Sequence, residues 1–223
     1  MEAGLYLVGT PIGNLEDMTF RAVRVLKDVD TILAEDTRKT GILLKYFEVG
    51  TPMVSCHKFN ERSRVERVVE DIRSGRAVAL VSDAGMPLIS DPGSRLVNAL
   101  RDAGLAVTAV PGPTALSTAL ALSGWGDEGF VFAGFLPNKS AGRRRWLEGF
   151  RAEARPVVFY ESTHRIRKCL LDIEELLGDR PVFVARELTK KFETLVSGTA
   201  AELTGFFETH SVKGEFVVVL GPA

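Results

Sequence analysis

Cysteine is nearly absent from this sequence: Cys56 and Cys169 are the only two in 223 residues, far apart and each inside an apolar, regular stretch. A disulfide scaffold needs more cysteines at closer spacing, so both read as reduced core thiols. Histidine is equally sparse, and His57, His164 and His210 have none of the spacings that build a zinc site, so no metal is expected. No apolar run approaches the ~20 residues needed to cross a bilayer. The opening MEAGLYLVGTPIG also lacks the basic n-region of a signal peptide, which points to a cytoplasmic protein without membrane attachment. An excess of one charge is missing too: 28 Lys+Arg against 29 Asp+Glu leave a formal net charge of -1. Any nucleic-acid partner must therefore be met by a local basic patch.

Several familiar sites are also missing. GTPIGN (9–14) is not a GxGxxG fingerprint, and AGFLPNKS (133–140) keeps the Lys-Ser pair of a phosphate loop but has Ala133 and Asn138 where glycines belong. No GxSxG elbow marks an activated serine.

What is present is a hydrophobic content of 45%, ample for one large core or two small ones, and a regular alternation of element types. Strand-like runs at 5–9, 31–34, 77–81 and 106–110 alternate with helical patterns near 19–27, 38–47, 60–74, 92–103 and 113–122, and a further short strand precedes HKFNE (57–61). This is the signature of a parallel sheet. The helix at 60–74 is the clearest, with Val65, Val68, Val69 and Ile72 at i, i+3, i+4 and i+7 between Asn60 as N-cap and Gly75 as stop. SGWGDEG (123–129), with three glycines, is the expected linker, dividing a domain at 1–122 from one at 123–223. Strands follow at 130–135, 157–160, 182–187, 194–197 and 215–220, with helices near 141–152, 166–177 and 200–207. The hop from the 182 strand to the 194 strand is too short for a parallel crossover, so the second sheet should be mixed. The fold class is α/β, a parallel five-stranded sheet followed by a mixed one.

In the first domain a polar loop follows each strand: GTPIGN, AEDTR (34–38), HKFNE, SDAGMPLISDPG (82–93) and PGPTA (111–115). All five should open on one edge of the sheet, and loops rich in Gly, Pro, Thr and Asp suit a polar ligand held largely by backbone groups. The fourth is the most informative, with two Gly, two Pro and two Asp. Asp91 as N-cap and Pro92 as first helical residue account for its end, which leaves Asp83-Ala84-Gly85 without a structural task.

GTPIGNL, AEDTR, SDAGMPLISDPG, PGPTA, GFLPNK, FYES and RELTKKFE, in this order between Leu5 and Gly221, resemble the tetrapyrrole methylase superfamily. Within it they are most similar to the branch that methylates a cytidine ribose 2′-hydroxyl of small-subunit ribosomal RNA. The resemblance implies two α/β domains with S-adenosylmethionine in the cleft between them, a homodimer, and ribosomal RNA as partner, in the assembled subunit. It implies cofactor contacts from Pro11, Asp83, Gly85, Ile89, Ser90, Thr114 and Ala115, and from Tyr160, Leu188 and Glu215 in the second domain. Related branches methylate tetrapyrrole carbons or a translation-factor side chain, and a non-catalytic cofactor-binding module in ribosome assembly is the alternative outside enzymes. AEDTR and the arginines after GFLPNKS favour RNA. One departure is that members of the branch often continue into a further helical segment, whereas this sequence stops at Gly221-Pro222-Ala223.

Methyl transfer to a hydroxyl is an in-line displacement that depends mainly on positioning, and a group sharing the hydroxyl proton contributes roughly 10² to 10⁴ in rate. Asp36 and Arg38 are the first choice for such an acceptor-side pair, Arg38 gripping a phosphate and Asp36 orienting the hydroxyl or acting as base. The competing reading has Asp36 or Thr37 capping the next helix. Glu61 and Lys190 are second choices. RNA contacts are expected from Lys139, the run Arg143-Arg144-Arg145, and Lys191 beside Lys190. Trp146 either stacks on a base or packs into its own domain. Arg62, Arg64 and Arg67 alternate with glutamates and read as a solvated helix face.

Overall fold

Every residue of the run Ala77-Val78-Ala79-Leu80-Val81 is buried in the computed structural model, which describes residues 1–127 and 129–223. A strand buried on both faces belongs inside a parallel sheet with helices above and below. It is one of five parallel strands, β1 (Gly4–Val8), β2 (Thr31–Ala34), β3 (Met53–Ser55), β4 (Ala77–Val81) and β5 (Val107–Val110), ordered β3-β2-β4-β1-β5. On one face Ile32, Ala77, Ala79 and Val81 pack with Val25 and Leu26 of α1 (Phe20–Asp28) and Leu44 of α2 (Thr37–Tyr46). On the other, Leu33, Val78 and Leu80 pack with Val68 and Ile72 of α3 (Glu61–Arg73) and Leu96 and Leu100 of α4 (Ser94–Asp102). Each Leu, Ile or Val so buried contributes roughly 1.5–3 kcal/mol.

The helix starts follow from side-chain oxygens meeting orphan N–H groups. Thr19 Oγ1 accepts from Ala22 N at 3.0 Å, and Asp36 Oδ1 accepts from Arg38 N at 2.9 Å. Asn60 stands at the N-cap position of α3 but does not bond into the helix. Its amide turns back, accepting from His57 N at 2.7 Å and donating to the Ser55 carbonyl at 3.2 Å. The expected start of α4 at Asp91-Pro92 is corrected: the helix begins at Ser94, behind Gly93 at φ 129°.

The second unit, Ala115–Ala223, opens with α5 (Ala115–Ser123). Its sheet contains β6 (Val131–Phe135), β7 (Val157–Ser162), β8 (Val182–Arg186), β9 (Thr194–Gly198) and β10 (Glu215–Leu220), ordered β6-β7-β10-β8-β9. Only the β6–β7 pairing is parallel, so the sheet is mixed. Val157, Phe159, Val184 and Val218 face α6 (Ser140–Gly149), α7 (Ile166–Leu177) and α8 (Ala200–Thr209), and α8 starts with a full Thr199/Glu202 capping box. Helix α5 packs on β7, β8 and β10. The first unit therefore ends at Thr114, and a helix that the sequence places in a 1–122 domain packs with the second sheet. Of the expected linker, Glu128 lies outside the described residues.

Candidate functional site

With five parallel strands, the loops after them leave from one edge. β1 leads into α1 on one face and its neighbour β4 leads into α4 on the other. At such a parting of adjacent strands an open α/β sheet offers a ligand crevice. Backbone contacts lock the loops there. Thr10 N donates to the Gly85 carbonyl at 2.9 Å and Gly85 N to the Thr10 carbonyl at 3.0 Å. A Cβ on Gly9 would lie 2.7 Å from Gly112 Cα, so the loops after β1 and β5 touch through glycine backbone. The loop after β4 carries Leu88 at φ 70° and Ser90 at φ 69°. Left-handed non-glycine residues of this kind persist only where the surroundings hold them, and they concentrate at functional sites.

Asp83 braces this edge. Its Oδ1 accepts from Asp36 N at 3.0 Å and its Oδ2 from Lys39 Nζ at 2.7 Å, which ties SDAGMPLISDPG to AEDTR. Asp36 caps α2 and also accepts both Arg38 Nε at 3.0 Å and Nη2 at 2.7 Å. The Arg38 guanidinium and the backbone N–H of Arg38 hold its carboxyl far below the usual carboxylate range. That makes Asp36 a poor proton acceptor: the capping alternative is the geometry found, and a base role has no support here.

Two carboxyls not singled out for chemistry in the sequence shift the opposite way. Burial, then the charges of Glu35 and Asp83, push Asp91 up to about 6 against an opposing hydrogen bond from Ser82. Burial and the Asp83 charge likewise raise Glu35. Neighbouring carboxylates at a ligand edge are the setting in which such shifts arise. No sequence spacing marks this pair, because Glu35 and Asp91 follow different strands.

The other residues expected to be catalytic, Glu61 and Lys190, make structural contacts. Glu61 is buried, and its Oε1 accepts from Arg95 N at 2.8 Å and Leu96 N at 3.2 Å, capping α4 from the start of α3. Lys190 donates to Glu187 at 2.9 Å and Glu215 at 2.7 Å. Partial burial opposes its charge, but these two carboxylates outweigh it and raise its pKa, so Lys190 stays an ammonium ion.

The basic helix α6 divides in the same way. Arg143 is buried, with Nε 2.6 Å from Asp172 Oδ2, and Arg144 bonds Asp172 at 3.0 Å and Glu175 at 2.5 Å. Both are therefore paired with carboxylates within the second unit, Arg143 in a buried setting and Arg144 at its surface. Trp146 packs edge-on to Phe150 at 4.8 Å, which is the packed alternative. Lys139, Arg145 and Lys191 are exposed and form no ion pair among the described residues.

Among the positions expected to touch a cofactor, Pro11 is half-buried, Gly85 is buried at φ 79°, and Ile89 and Ser90 are exposed on the same first-unit edge. Thr114 and Ala115 are half-buried. In the second unit Tyr160 packs against Phe132 and Phe135 at 5.2 and 5.4 Å, Leu188 is buried, and Glu215 is exposed as a Lys190 partner. Cys56 and Cys169 are free and buried, and burial raises both thiol pKa values, that of Cys56 to about 11. Among the described residues no His, Cys, Asp and Glu side chains group to hold a metal ion, and no helix is long and apolar enough to cross a membrane.

A doubly covered parallel sheet with glycine-lined strand exits, followed by a mixed sheet, is the architecture of a known class. The chain belongs to the tetrapyrrole (corrin/porphyrin) methylases, whose family model matches residues 4–204. Its relatives include ribosomal RNA small subunit methyltransferase I of Thermotoga maritima, 46% identical with 97% of both chains covered. The Bacillus subtilis protein of that name is 46% identical over 97% of this chain and 74% of its own length. That of Escherichia coli O157:H7 is 47% identical over 97% and 77%. Solved structures share the fold at lower identity. Uroporphyrin-III-C-methyltransferase from Thermus thermophilus gives a TM-score of 0.69 at 22% identity, covering 98% of this chain and 94% of that one. A diphthine synthase gives 0.76 at 13%, covering 97% and 89%.

Proposed function

We propose that this chain transfers the methyl group of S-adenosylmethionine to small-subunit ribosomal RNA, at the 2′-hydroxyl of a cytidine ribose. The observation that carries this is the 46% identity, with 97% of both chains covered, to a small subunit rRNA methyltransferase. Uroporphyrin-III and precorrin methyltransferases share the fold at only 18–22% identity. The assembled subunit as substrate, a homodimeric enzyme and a cytoplasmic setting belong to the same proposal and rest on the resemblance.

The residues present suit the cofactor. Gly9 and Gly112 bring the loops after β1 and β5 into backbone contact, and Gly85 ties the loop after β4 to the loop after β1 through its pair of hydrogen bonds with Thr10, so the strand exits form a closely held backbone frame for a polar ligand. Pro11, Gly85, Ile89, Ser90, Thr114 and Ala115 would hold it, with Tyr160, Leu188 and Glu215 as the second-unit contacts, while Asp83 acts by fixing loop shape. When bound, S-adenosylmethionine supplies an electrophilic methyl on a sulfonium. The chain's own contribution is to align the acceptor hydroxyl, where positioning supplies most of the acceleration. Asp36, kept ionised by Arg38, orients that guanidinium toward a phosphate. Exposed Lys139, Arg145 and Lys191 add sequence-independent attraction to the RNA backbone.

The test is transfer of labelled methyl from S-adenosylmethionine to assembled small subunits, naked ribosomal RNA and a tetrapyrrole precursor in parallel. Label in the ribosomal substrate is expected, and label in the tetrapyrrole alone would overturn the proposal.

A further inference from the structure

Phe59 stands 93% exposed on the loop after β3. Its position is built. Asn60 N and Glu61 N donate to the His57 carbonyl at 3.0 and 2.9 Å, and Phe59 N donates to His57 Nδ1 at 3.2 Å. Asn60 Oδ1 closes the turn on His57 N, and Glu61 anchors it to α4. The turn thus holds its shape while the ring points into water. Because Cys56 N donates to the Ala34 carbonyl at 2.8 Å, HKFNE and AEDTR leave the sheet side by side.

Two cations close to the ring in sequence are left available. Lys58 and Arg62 are exposed and form no ion pair among the described residues. Of the carboxylates on the same edge, Asp36 is engaged by Arg38, Asp83 by Lys39 and Glu61 by backbone N–H groups, while burial raises the pKa of Glu35 and Asp91. An exposed ring flanked by uncommitted cations matches one ligand chemistry, an unstacked nucleobase whose neighbouring phosphates lie within reach of the cations.

Resting on the RNA reading above, we propose that Phe59 stacks on an unpaired base of the acceptor strand and so positions the ribose to be methylated. Its loss raises KM for the RNA substrate and leaves the cofactor alone. With the full chain and assembled small subunits, Phe59→Ala raises KM on the order of 10-fold, the scale of one lost base–aromatic stack. S-adenosylmethionine affinity and Tm stay at the wild-type values. Phe59→Trp restores KM, whereas Phe59→Leu, apolar but without a ring face, does not. A Phe59→Ala KM within twofold of wild type, rescue by Leu as complete as by Trp, or a loss confined to cofactor affinity would overturn it. The two failures are distinguishable: if wild type methylates the subunit and Phe59→Ala matches it, only the stacking role falls, whereas no transfer by wild type removes the RNA reading and this inference together.

Discussion

Gly9 and Gly112 approach so closely that a Cβ on either would come within 3 Å of the other's backbone, at 2.7 Å from Gly112 Cα or 2.9 Å from Gly9 Cα. Neither loop can carry a side chain there without parting from the other. Gly9→Ala is expected to destabilise the protein by about 1–3 kcal/mol, the usual cost of forced repacking, and, on the proposal that these loops hold the cofactor, to weaken S-adenosylmethionine binding more than about tenfold. Calorimetric titration and thermal melting check this. Gly50→Ala, with nothing within 4 Å of the added Cβ, serves as the neutral control.

Glu61 caps a helix, so its substitution should act on stability. Glu61→Ala leaves the N–H groups of Arg95 and Leu96 without their acceptor, at about 1–3 kcal/mol. Glu61→Gln keeps a carbonyl oxygen and recovers part of that. Denaturant melts should show the order wild type, Gln, Ala, with kcat per folded molecule unchanged.

Asp91 makes stability depend on pH with a defined sign. Its folded pKa, about 6, lies above the ordinary aspartate value of 3.8, so the folded protein binds the extra proton in that window and loses stability as pH rises through it. Asp91→Asn therefore raises Tm above pH 6, with a gain on the order of 1 kcal/mol, or about 2–4 °C, once solvent screening of a part-exposed group is allowed for. Below pH 4 the gain disappears. A gain independent of pH would mean that the carboxyl charge is not its cause.

Arg143 and Arg145 are two residues apart and should behave oppositely. Arg143→Ala leaves Asp172 short of a partner in a buried setting and costs about 3 kcal/mol. Arg145→Ala leaves Tm unchanged but weakens RNA binding and reduces the slope of log affinity against log salt by about 1. Melting curves and a salt titration of RNA binding separate the two.

Much of this architecture is legible in the sequence where information is local. AVALV reads as a doubly buried strand, and Val65, Val68, Val69 and Ile72 read as a helix face, because burial imposes a period on nearby residues. What the sequence hides is pairing over distance. Asp91-Pro92 has the form of a helix start, but the acceptor for the first turn comes from Glu61, 34 residues before Arg95. The arginine run at 143–145 resembles a phosphate grip until α7 brings Asp172 and Glu175 against it. Helix α5, rich in Ala and Leu, fits either sheet, and a glycine-rich loop behind it suggests a boundary that packing places before it. Phe59 goes unnoticed because an aromatic residue in a globular sequence is normally core, and only coordinates reveal a ring left in water.

The most direct measurement is alkaline hydrolysis of ribosomal RNA labelled by this enzyme in assembled small subunits. A 2′-O-methyl group removes the hydroxyl that attacks the adjacent phosphodiester, so the label should emerge in an alkali-stable dinucleotide whose 5′ residue is cytidine. Label recovered in ordinary mononucleotides would place the methyl on a base, and no ribosomal label beside a methylated tetrapyrrole would contradict the RNA assignment altogether.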